Sequence, residues 1–105
     1  MKMSKEQMPE TMYRASRCCR MLGNPTAYLM LRFLGAEQRT PTEISRELHV
    51  SLPVVSGTLR QLRNLDLVRY ETRGKTKLYW VKDQAVLDIA KSLETWVRTM
   101  RIKQL

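Results

Sequence analysis

Apolar and polar positions in the first third of the chain predict two helices. Over positions 9–22 the apolar residues recur every three or four places, at Met12, Ala15, Cys19 and Leu22. Pro9 suits the start of this helix, and the run at 23–25, Gly-Asn-Pro, ends it. Thr26 is the predicted cap of a second helix, which ends at Gly35. That second helix is apolar nearly all round, so we expect it to be central and heavily buried.

A short third helix is predicted after a polar loop over 35–39. Thr40 is its expected cap, and Glu43 stands three residues later, where its side chain can return the hydrogen bond. Pro41 suits the first helical position, because its missing N–H would have no partner there. The residues expected to face inward lie one turn apart, Ile44 and Leu48.

A tight turn separates this helix from a fourth, predicted over 51–64. His49 and Val50 form the turn, with Val50 buried as its hydrophobic pin, and Ser51 caps the next helix. The residues that must face the core lie at i, i+4 and i+7: Val55, Leu59 and Leu62. The opposite face carries small, basic and amide groups: Pro53, Ser56, Gly57, Arg60, Arg63 and Asn64. The two helices and their turn are typical of a helix-turn-helix.

After Leu67 the apolar period changes from helical to alternating, which predicts a hairpin over 68–82. We place Val68, Tyr70 and Thr72 on its first strand, and opposite them Leu78, Trp80 and Lys82. The tip over 73–77 holds three cations and no acid: Arg73, Lys75 and Lys77. The expected fold is mainly α with a small β-hairpin, a winged helix-turn-helix in which a three-helix core gains a helix at each end. We expect one domain over 1–105.

Composition is consistent with a polyanionic partner. The 105 residues include 19 Lys and Arg against 10 Asp and Glu, a formal net charge of +9. A solvated basic surface would explain that charge equally well. The first residues resemble no signal peptide and no apolar run is long enough to cross a bilayer, so a cytoplasmic location is expected. Two cysteines do not make a disulfide framework, so packing must hold the fold together.

The outer face of the fourth helix is the strongest candidate site. A major groove admits one α-helix, and small residues such as Ser56 and Gly57 let its backbone approach base edges. Gly57 costs about 1 kcal/mol against Ala within a helix, and close helix–helix packing is the alternative reason for it. Cations at the wing tip would lie along DNA phosphates, the alternative being a solvated turn. The predicted DNA contacts are Thr42, Ser51, Pro53, Ser56, Gly57, Arg60, Arg63, Arg73, Lys75 and Lys77.

From about Cys19 to Val81 the chain resembles the small winged-helix repressors of the ArsR/SmtB family. The segment LGNPTAYLMLRFL is similar to that family's opening helix pair, and LHVSLPVVSGTLRQLRNLDLVRYETRGKTKLYW to its reading helix and wing. The resemblance implies a sequence-specific repressor that acts as a homodimer, with the helices over 9–22 and 83–103 at the interface. It also implies that two reading helices enter successive major grooves of a palindromic operator.

Several positions depart from that family's pattern. Thr58 stands where the family often has His, and Asp66 where it has Gly, although Asp can still adopt the left-handed conformation. The third helix lacks the Cys pair of the family's thiolate metal sensors, and the last helix lacks the His residues of its interfacial zinc site. Neither metal site can be carried over, so we expect no cofactor.

The last helix, predicted over 83–103, supports pairing of two copies independently of the resemblance. It carries a broad apolar stripe: Val86, Ile89, Leu93, Trp96, Val97 and Met100. One small domain does not easily cover that stripe and the Met8–Met12 face as well, whereas a two-fold dimer would bury both. Packing of the stripe onto the wing strands is the alternative.

Cys18 and Cys19 are the residues with reactive potential. Neighbours on a helix point about 100° apart, so the two thiols cannot both ligate one ion from the same helix without strain. We interpret Cys19 as a small buried hydrophobe and place Cys18 nearer the surface or the dimer seam. Arg17 and Arg20 could lower a thiol pKa, so a redox or soft-metal sensor is the alternative interpretation. His49 is expected at the surface or against a phosphate.

An enzyme is not expected, because no nucleophile–base constellation and no glycine-rich phosphate loop occurs. Two other functions compete with a sequence-specific regulator. One is a chromatin-like protein that coats DNA through its phosphates without reading the sequence. The other is a winged-helix module whose wing and helix bind a protein.

Overall fold

The computed structural model describes residues 8–100, which form five helices and one antiparallel hairpin. In chain order these are α1 (Glu10–Leu22), α2 (Pro25–Leu34), α3 (Pro41–Leu48), α4 (Leu52–Asn64), β1 (Val68–Arg73), β2 (Thr76–Val81) and α5 (Gln84–Met100). The predicted mainly helical fold with a two-stranded wing is confirmed. The ends of the predicted 1–105 domain and of the 83–103 helix lie outside the described residues. No helix within 8–100 is long and apolar enough to cross a membrane.

The helix starts follow local hydrogen bonding. The predicted capping box of α3 is confirmed, since Thr40 Oγ1 accepts from the Glu43 amide at 3.0 Å and Glu43 Oε1 accepts from the Thr40 amide at 2.8 Å. The predicted cap of α2 is wrong: Asn24, not Thr26, caps it and accepts from the Ala27 amide at 3.0 Å. Pro25 then occupies the first turn, where a missing N–H costs nothing. Ser51 stands at the start of α4 but forms no side-chain cap bond.

The core lies between α2, α4 and the wing. On α4 the three predicted core residues have no exposed surface: Val55, Leu59 and Leu62. One face of α2 is equally buried, at Ala27, Met30, Leu31 and Leu34. The prediction of a central, heavily buried α2 holds for this face, whereas Leu29 keeps 47% of its surface exposed.

The turn between α3 and α4 is held by its own side chains. His49 ends α3 in the left-handed conformation, with φ 56°, and its side chain is exposed as predicted. Ser45 Oγ donates to the Val50 carbonyl at 2.6 Å. Val50 packs against the core but is only partly buried, so it anchors the turn less than predicted. These contacts fix how α4 projects from the body of the protein.

The hairpin has a different register from the predicted one. Val68 pairs with Val81 and Tyr70 with Tyr79, so Tyr79 rather than Trp80 shares the face of Tyr70. The tip is shorter than predicted, because β1 extends to Arg73 and β2 begins at Thr76. Gly74 and Lys75 alone form the turn, with Gly74 at φ 63°, as a two-residue hairpin connection requires. This shift buries Tyr79 and Val81 and leaves Trp80 only partly buried.

The base of the wing is attached to the loop before α3. Arg39 forms an isolated antiparallel bridge with Tyr79. Its amide donates to the Tyr79 carbonyl at 2.9 Å, and the Tyr79 amide donates back at 2.8 Å. The segment predicted as a polar loop therefore ends in a single residue paired with β2. Its Arg39 guanidinium lies 4.5 Å from the centroid of the Phe33 ring.

Helix α5 is anchored to α2 by polar contacts. Both carboxylate oxygens of Glu94 accept from Arg32, at 2.7 and 2.9 Å, and Tyr28 Oη donates to Glu94 at 2.7 Å. Leu87 and Ala90 are the buried residues of this helix. The rest of its apolar stripe is not covered by the wing, since between 38% and 60% of the surface stays exposed at Ile89, Leu93, Trp96, Val97 and Met100. The alternative of packing onto the wing strands is therefore wrong for these five residues.

Candidate nucleic-acid interface

The outer face of α4 brings together most of the predicted contact residues. Ser51, Pro53, Ser56, Arg60 and Arg63 are exposed, and Gly57 is partly exposed. Because Val55, Leu59 and Leu62 hold the opposite side in the core, this face cannot turn inward without exposing them. Thr42 is exposed at the start of α3, the helix packed beside α4. A single ridge of small and basic groups thus projects from the protein.

Gly57 lies in open space. A Cβ added to it would meet no atom within 4 Å, apart from the helix's own neighbouring backbone. Close helix–helix packing is therefore wrong as an explanation within residues 8–100. Helix propensity alone disfavours glycine here by about 1 kcal/mol relative to alanine. The position gives up helix stability and leaves a notch on the exposed face.

Arg63, Lys77 and Tyr70 connect α4 to the wing. The Arg63 guanidinium lies 5.3 Å from the centroid of the Tyr70 ring, and the Lys77 ammonium lies 4.8 Å from it. Tyr79 contacts the same ring, with centroids 5.2 Å apart. Burial raises the pKa of the Tyr79 hydroxyl. Two cations, one from the helix and one from the wing, are thus held against one aromatic side chain.

The cations at the wing tip are not equivalent. Arg73 pairs with the Glu71 carboxylate on its own strand, so part of its charge is neutralised. Sequence reasoning found no acid within 73–77 and missed this partner because it lies just before the tip. Among the described residues, Lys75 forms neither an ion pair nor a hydrogen bond through its side chain, and the same holds for Arg60. Arg60 and Lys75 are therefore the predicted contacts most available to phosphates or bases.

Two exposed aliphatic residues on α4 were not among the predicted contacts. Leu52 keeps 44% and Val54 keeps 48% of its surface exposed. Both lie in the first turn of the helix. Val54 points about 100° away from Val55, so helical rotation alone places it outside the core. Leu52 points in nearly the same direction as Leu59, seven residues later, and its exposure at the start of the helix does not follow from rotation.

The two cysteines have the reverse of their predicted environments. Cys18 is partly buried and packs at the margin of the core, whereas Cys19 is exposed. The side of α1 that faces the core runs through Cys18, Met21 and Leu22, although α1 has no fully buried residue. Cys18 also lines a groove between α1 and the end of α4. No group of three or more His, Cys, Asp or Glu within 8–100 could hold a metal ion, and a sensing role for either thiol stays a prediction.

The end of α4 is closed by an ion pair. Asp66 takes the left-handed conformation with φ 65°, as expected where a glycine is common. Its carboxylate accepts from Lys82 at the end of the wing, and this hydrogen bond lowers the pKa of Asp66. The segment that leaves α4 and the residue that follows β2 are thereby tied together at the open end of the hairpin.

A helix-turn-helix followed at once by an antiparallel hairpin defines the winged helix-turn-helix class. The sequence model of the MarR family matches residues 24–77, which run from the cap of α2 into the wing. The chain belongs to the MarR family and is a DNA-binding transcriptional regulator of the winged-helix type. No curated protein matches the chain.

Solved structures share this fold at low sequence identity. NolR from Sinorhizobium fredii is 23% identical, with 90% of this chain and 94% of that one covered and a TM-score of 0.77. The transcriptional repressor BigR from Xylella fastidiosa is 18% identical, with coverages of 89% and 95% and a TM-score of 0.75. A homodimeric winged helix-turn-helix DNA-binding domain from Mycobacterium bovis, described as a possible ArsR-family transcriptional regulator, is 17% identical, with coverages of 93% and 91% and a TM-score of 0.79. These likenesses confirm the fold, the family model shows the MarR family, and the ArsR/SmtB type stays a prediction.

Proposed function

We propose that this regulator is a sequence-specific repressor of ArsR-like architecture, acting as a homodimer on a palindromic operator. Helix α4 lies in the major groove, and the hairpin lies along the phosphate backbone. The observation that carries the proposal is the open notch at Gly57, which stands between the exposed Ser56 and the unpaired Arg60. Such a notch lets base edges approach the helix backbone closely, which a purely structural helix does not require.

Charge supports the same orientation. Arg60 and Arg63 on α4, and Lys75 and Lys77 on the wing, are exposed on adjoining elements. The full chain carries a formal net charge of +9, which raises the local concentration of a polyanion. Phosphate contacts by the wing would set the register in which α4 meets the bases.

The homodimer is supported by the uncovered face of α5. Five apolar side chains on that helix are at least 38% exposed, and Met12 on α1 is 57% exposed. An exposed apolar stripe along one helix, such as that of α5, is typical of an interface. Among the similar structures, the Mycobacterium bovis domain is described as homodimeric and BigR as a transcriptional repressor. A two-fold dimer that reads two half-sites needs its α4 helices about 34 Å apart, one helical turn of DNA.

Selection of bound duplexes from a random pool tests the proposal. A repressor of this kind enriches an inverted repeat, and it binds that repeat about a thousandfold or more tightly than unrelated duplexes at physiological salt. A chromatin-like protein would bind all duplexes with similar affinity, and that affinity would fall with salt to the same extent for every sequence. A protein-binding module would retard no duplex even at low salt. Transcription in vitro from a promoter that overlaps the enriched repeat then separates repression from activation.

A further inference from the structure

The first turn and a half of α4 exposes surface that is almost devoid of hydrogen-bonding side chains. Outside the core it presents Leu52, Pro53, Val54, Ser56 and Gly57. Only Ser56 among these can donate or accept a hydrogen bond through its side chain. In a helix-turn-helix the beginning of the second helix is the part that meets base edges. Bases facing these residues therefore meet mainly apolar groups.

Val54 carries the methyl groups closest in direction to the notch at Gly57. With about 100° of rotation per residue, Val54 and Gly57 point about 60° apart and Leu52 and Gly57 about 140° apart, while Pro53, whose ring has no methyl group, points about 40° from Gly57 on the other side. Val54 is 48% exposed, and no Cβ at position 57 blocks the approach of DNA beside it. A base edge that enters the notch would therefore lie between the Pro53 ring and the two methyl groups of Val54.

Major-groove chemistry leaves one base that such a surface suits. The edges of guanine, adenine and cytosine present hydrogen-bond donors and acceptors, whereas thymine adds a methyl group at C5. A donor or acceptor placed against Val54 would lose water and gain no partner, which is unfavourable. A thymine methyl placed there buries apolar surface on both sides.

We propose that Val54 reads the 5-methyl group of one thymine in each half of the operator. This inference rests on the proposed function and narrows it to a T·A pair at a defined position. Arg60, one and a half turns further on, contacts a different base pair or a phosphate. Val54 is the specificity-determining residue, because its effect on binding depends on which base stands opposite it.

Deoxyuridine in place of thymidine tests this directly, because it removes the methyl group and keeps the base pairing. In the enriched repeat each thymine is replaced singly in both halves, and binding of the full chain is measured by fluorescence anisotropy. We expect one symmetric pair of replacements to raise the dissociation constant about fourfold per half, or about fifteenfold in total, as expected for one buried methyl group per half. Other replacements should change it less than twofold.

Variants assign the effect to Val54. In Val54→Ala the uracil penalty should disappear, while the matched variant Leu52→Ala should retain it. Val54→Thr keeps one methyl group and should show a reduced penalty. The inference is overturned if the wild type binds every uracil duplex like the parent, if Val54→Ala keeps the full penalty, or if the enriched repeat holds no thymine. If the pool yields no enriched repeat at all, the proposed function itself fails, and this inference fails with it.

Discussion

Arg32 on α2 grips Glu94 on α5 with two parallel hydrogen bonds, from Nε at 2.7 Å and from Nη2 at 2.9 Å. Tyr28, one turn before Arg32, donates to the same carboxylate and lies 3.2 Å from the Ala90 carbonyl. A bidentate pair of this type fixes direction as well as distance. It therefore sets which side of α5 faces α2, and so which side keeps Ile89 and Trp96 exposed.

Glu94→Gln should make the protein less stable at neutral pH but not in acid. Hydrogen bonds from Arg32 and then Tyr28 hold the pKa of Glu94 below its usual range. A carboxylate whose pKa is lowered by folding contributes stability above its unfolded pKa, and that contribution is lost as pH falls through the folded pKa. The difference in free energy of unfolding between wild type and variant should shrink below about pH 4. Urea titrations at several pH values measure it. The exposed Glu47, which pairs with nothing among the described residues, serves as control through Glu47→Gln.

Gly57→Ala should change stability and DNA binding in opposite directions. Because an added Cβ meets open space, alanine should stabilise α4 by about 1 kcal/mol. The same methyl group should obstruct the groove contact and cost about 1–3 kcal/mol of specific binding, comparable to one mismatched base pair. Thermal unfolding and anisotropy titrations test the two effects. Gly74→Ala is the contrasting variant, since φ 63° should make alanine destabilising there. If Gly57→Ala binds the operator as tightly as the wild type, the proposal that α4 lies in the major groove is wrong.

Arg60→Ala and Lys75→Ala should differ in what they do to sequence preference. If Arg60 grips a guanine, its loss costs about 1–3 kcal/mol and relaxes selection at one base pair. Lys75 at the wing tip should contact phosphate, so its loss weakens all duplexes about equally and lowers the salt dependence by about one ion. Binding to a panel of single-base variants over a salt series separates the two. If both variants lower the affinity for all duplexes equally, Arg60 contacts a phosphate and not a base.

Trp96→Asp should dissociate the proposed dimer. Trp96 is 60% exposed, in the middle of the uncovered stripe of α5. A buried Trp anchor is typically worth about 2 kcal/mol or more, so the dimer dissociation constant should rise at least about thirtyfold. Thr95→Asp adds the same charge beside the stripe and should change it little. Sedimentation velocity over a concentration series gives both values. A wild type that sediments as a monomer at micromolar concentration would contradict the dimer.

Cys19 should be the more reactive thiol once the proposed dimer is dissociated. In the Trp96→Asp background, each cysteine is tested alone by changing the other to Ser. Cys19 is exposed and Cys18 is partly buried at the core margin, so an aromatic disulfide should modify Cys19 faster. The rate is followed by absorbance of the released thiolate. Equal rates would mean that α1 does not hold the orientation described above.

Local signals in the sequence were enough to predict the parts of the fold that depend on neighbours in the chain. The capping box of Thr40 and Glu43 uses residues three apart, and the inward positions of α4 follow helical rotation. The cap of α2 was mispredicted although the signal was present. Pro25 favours the first helical position, which makes Asn24 the residue before it.

Contacts between distant segments could not be read in the same way. From the sequence alone, Arg73 and Lys77 are as compatible with a long turn as with the ends of two strands. The contact between the Tyr70 and Tyr79 rings goes with the register that forms, in which these two residues are paired. Similarly, α1 has two overlapping apolar faces, and packing against the rest of the fold selects the one that contains Cys18. The outward ridge of α4 was predictable, because it is the complement of three buried positions. The neutralisation of Arg73 by Glu71 was not, since it depends on where the hairpin turns.

The bridge between Arg39 and Tyr79 is made by main-chain atoms alone. These hydrogen bonds therefore do not depend on the side chain at position 39, proline being the exception because it has no amide hydrogen. Tyr79 is held in place in addition by its buried ring. The attachment of the hairpin thus tolerates side-chain changes at position 39, while the residues at the hairpin tip can vary separately. During evolution, the contacts with the target could therefore change one side chain at a time while the backbone attachment of the hairpin stays the same.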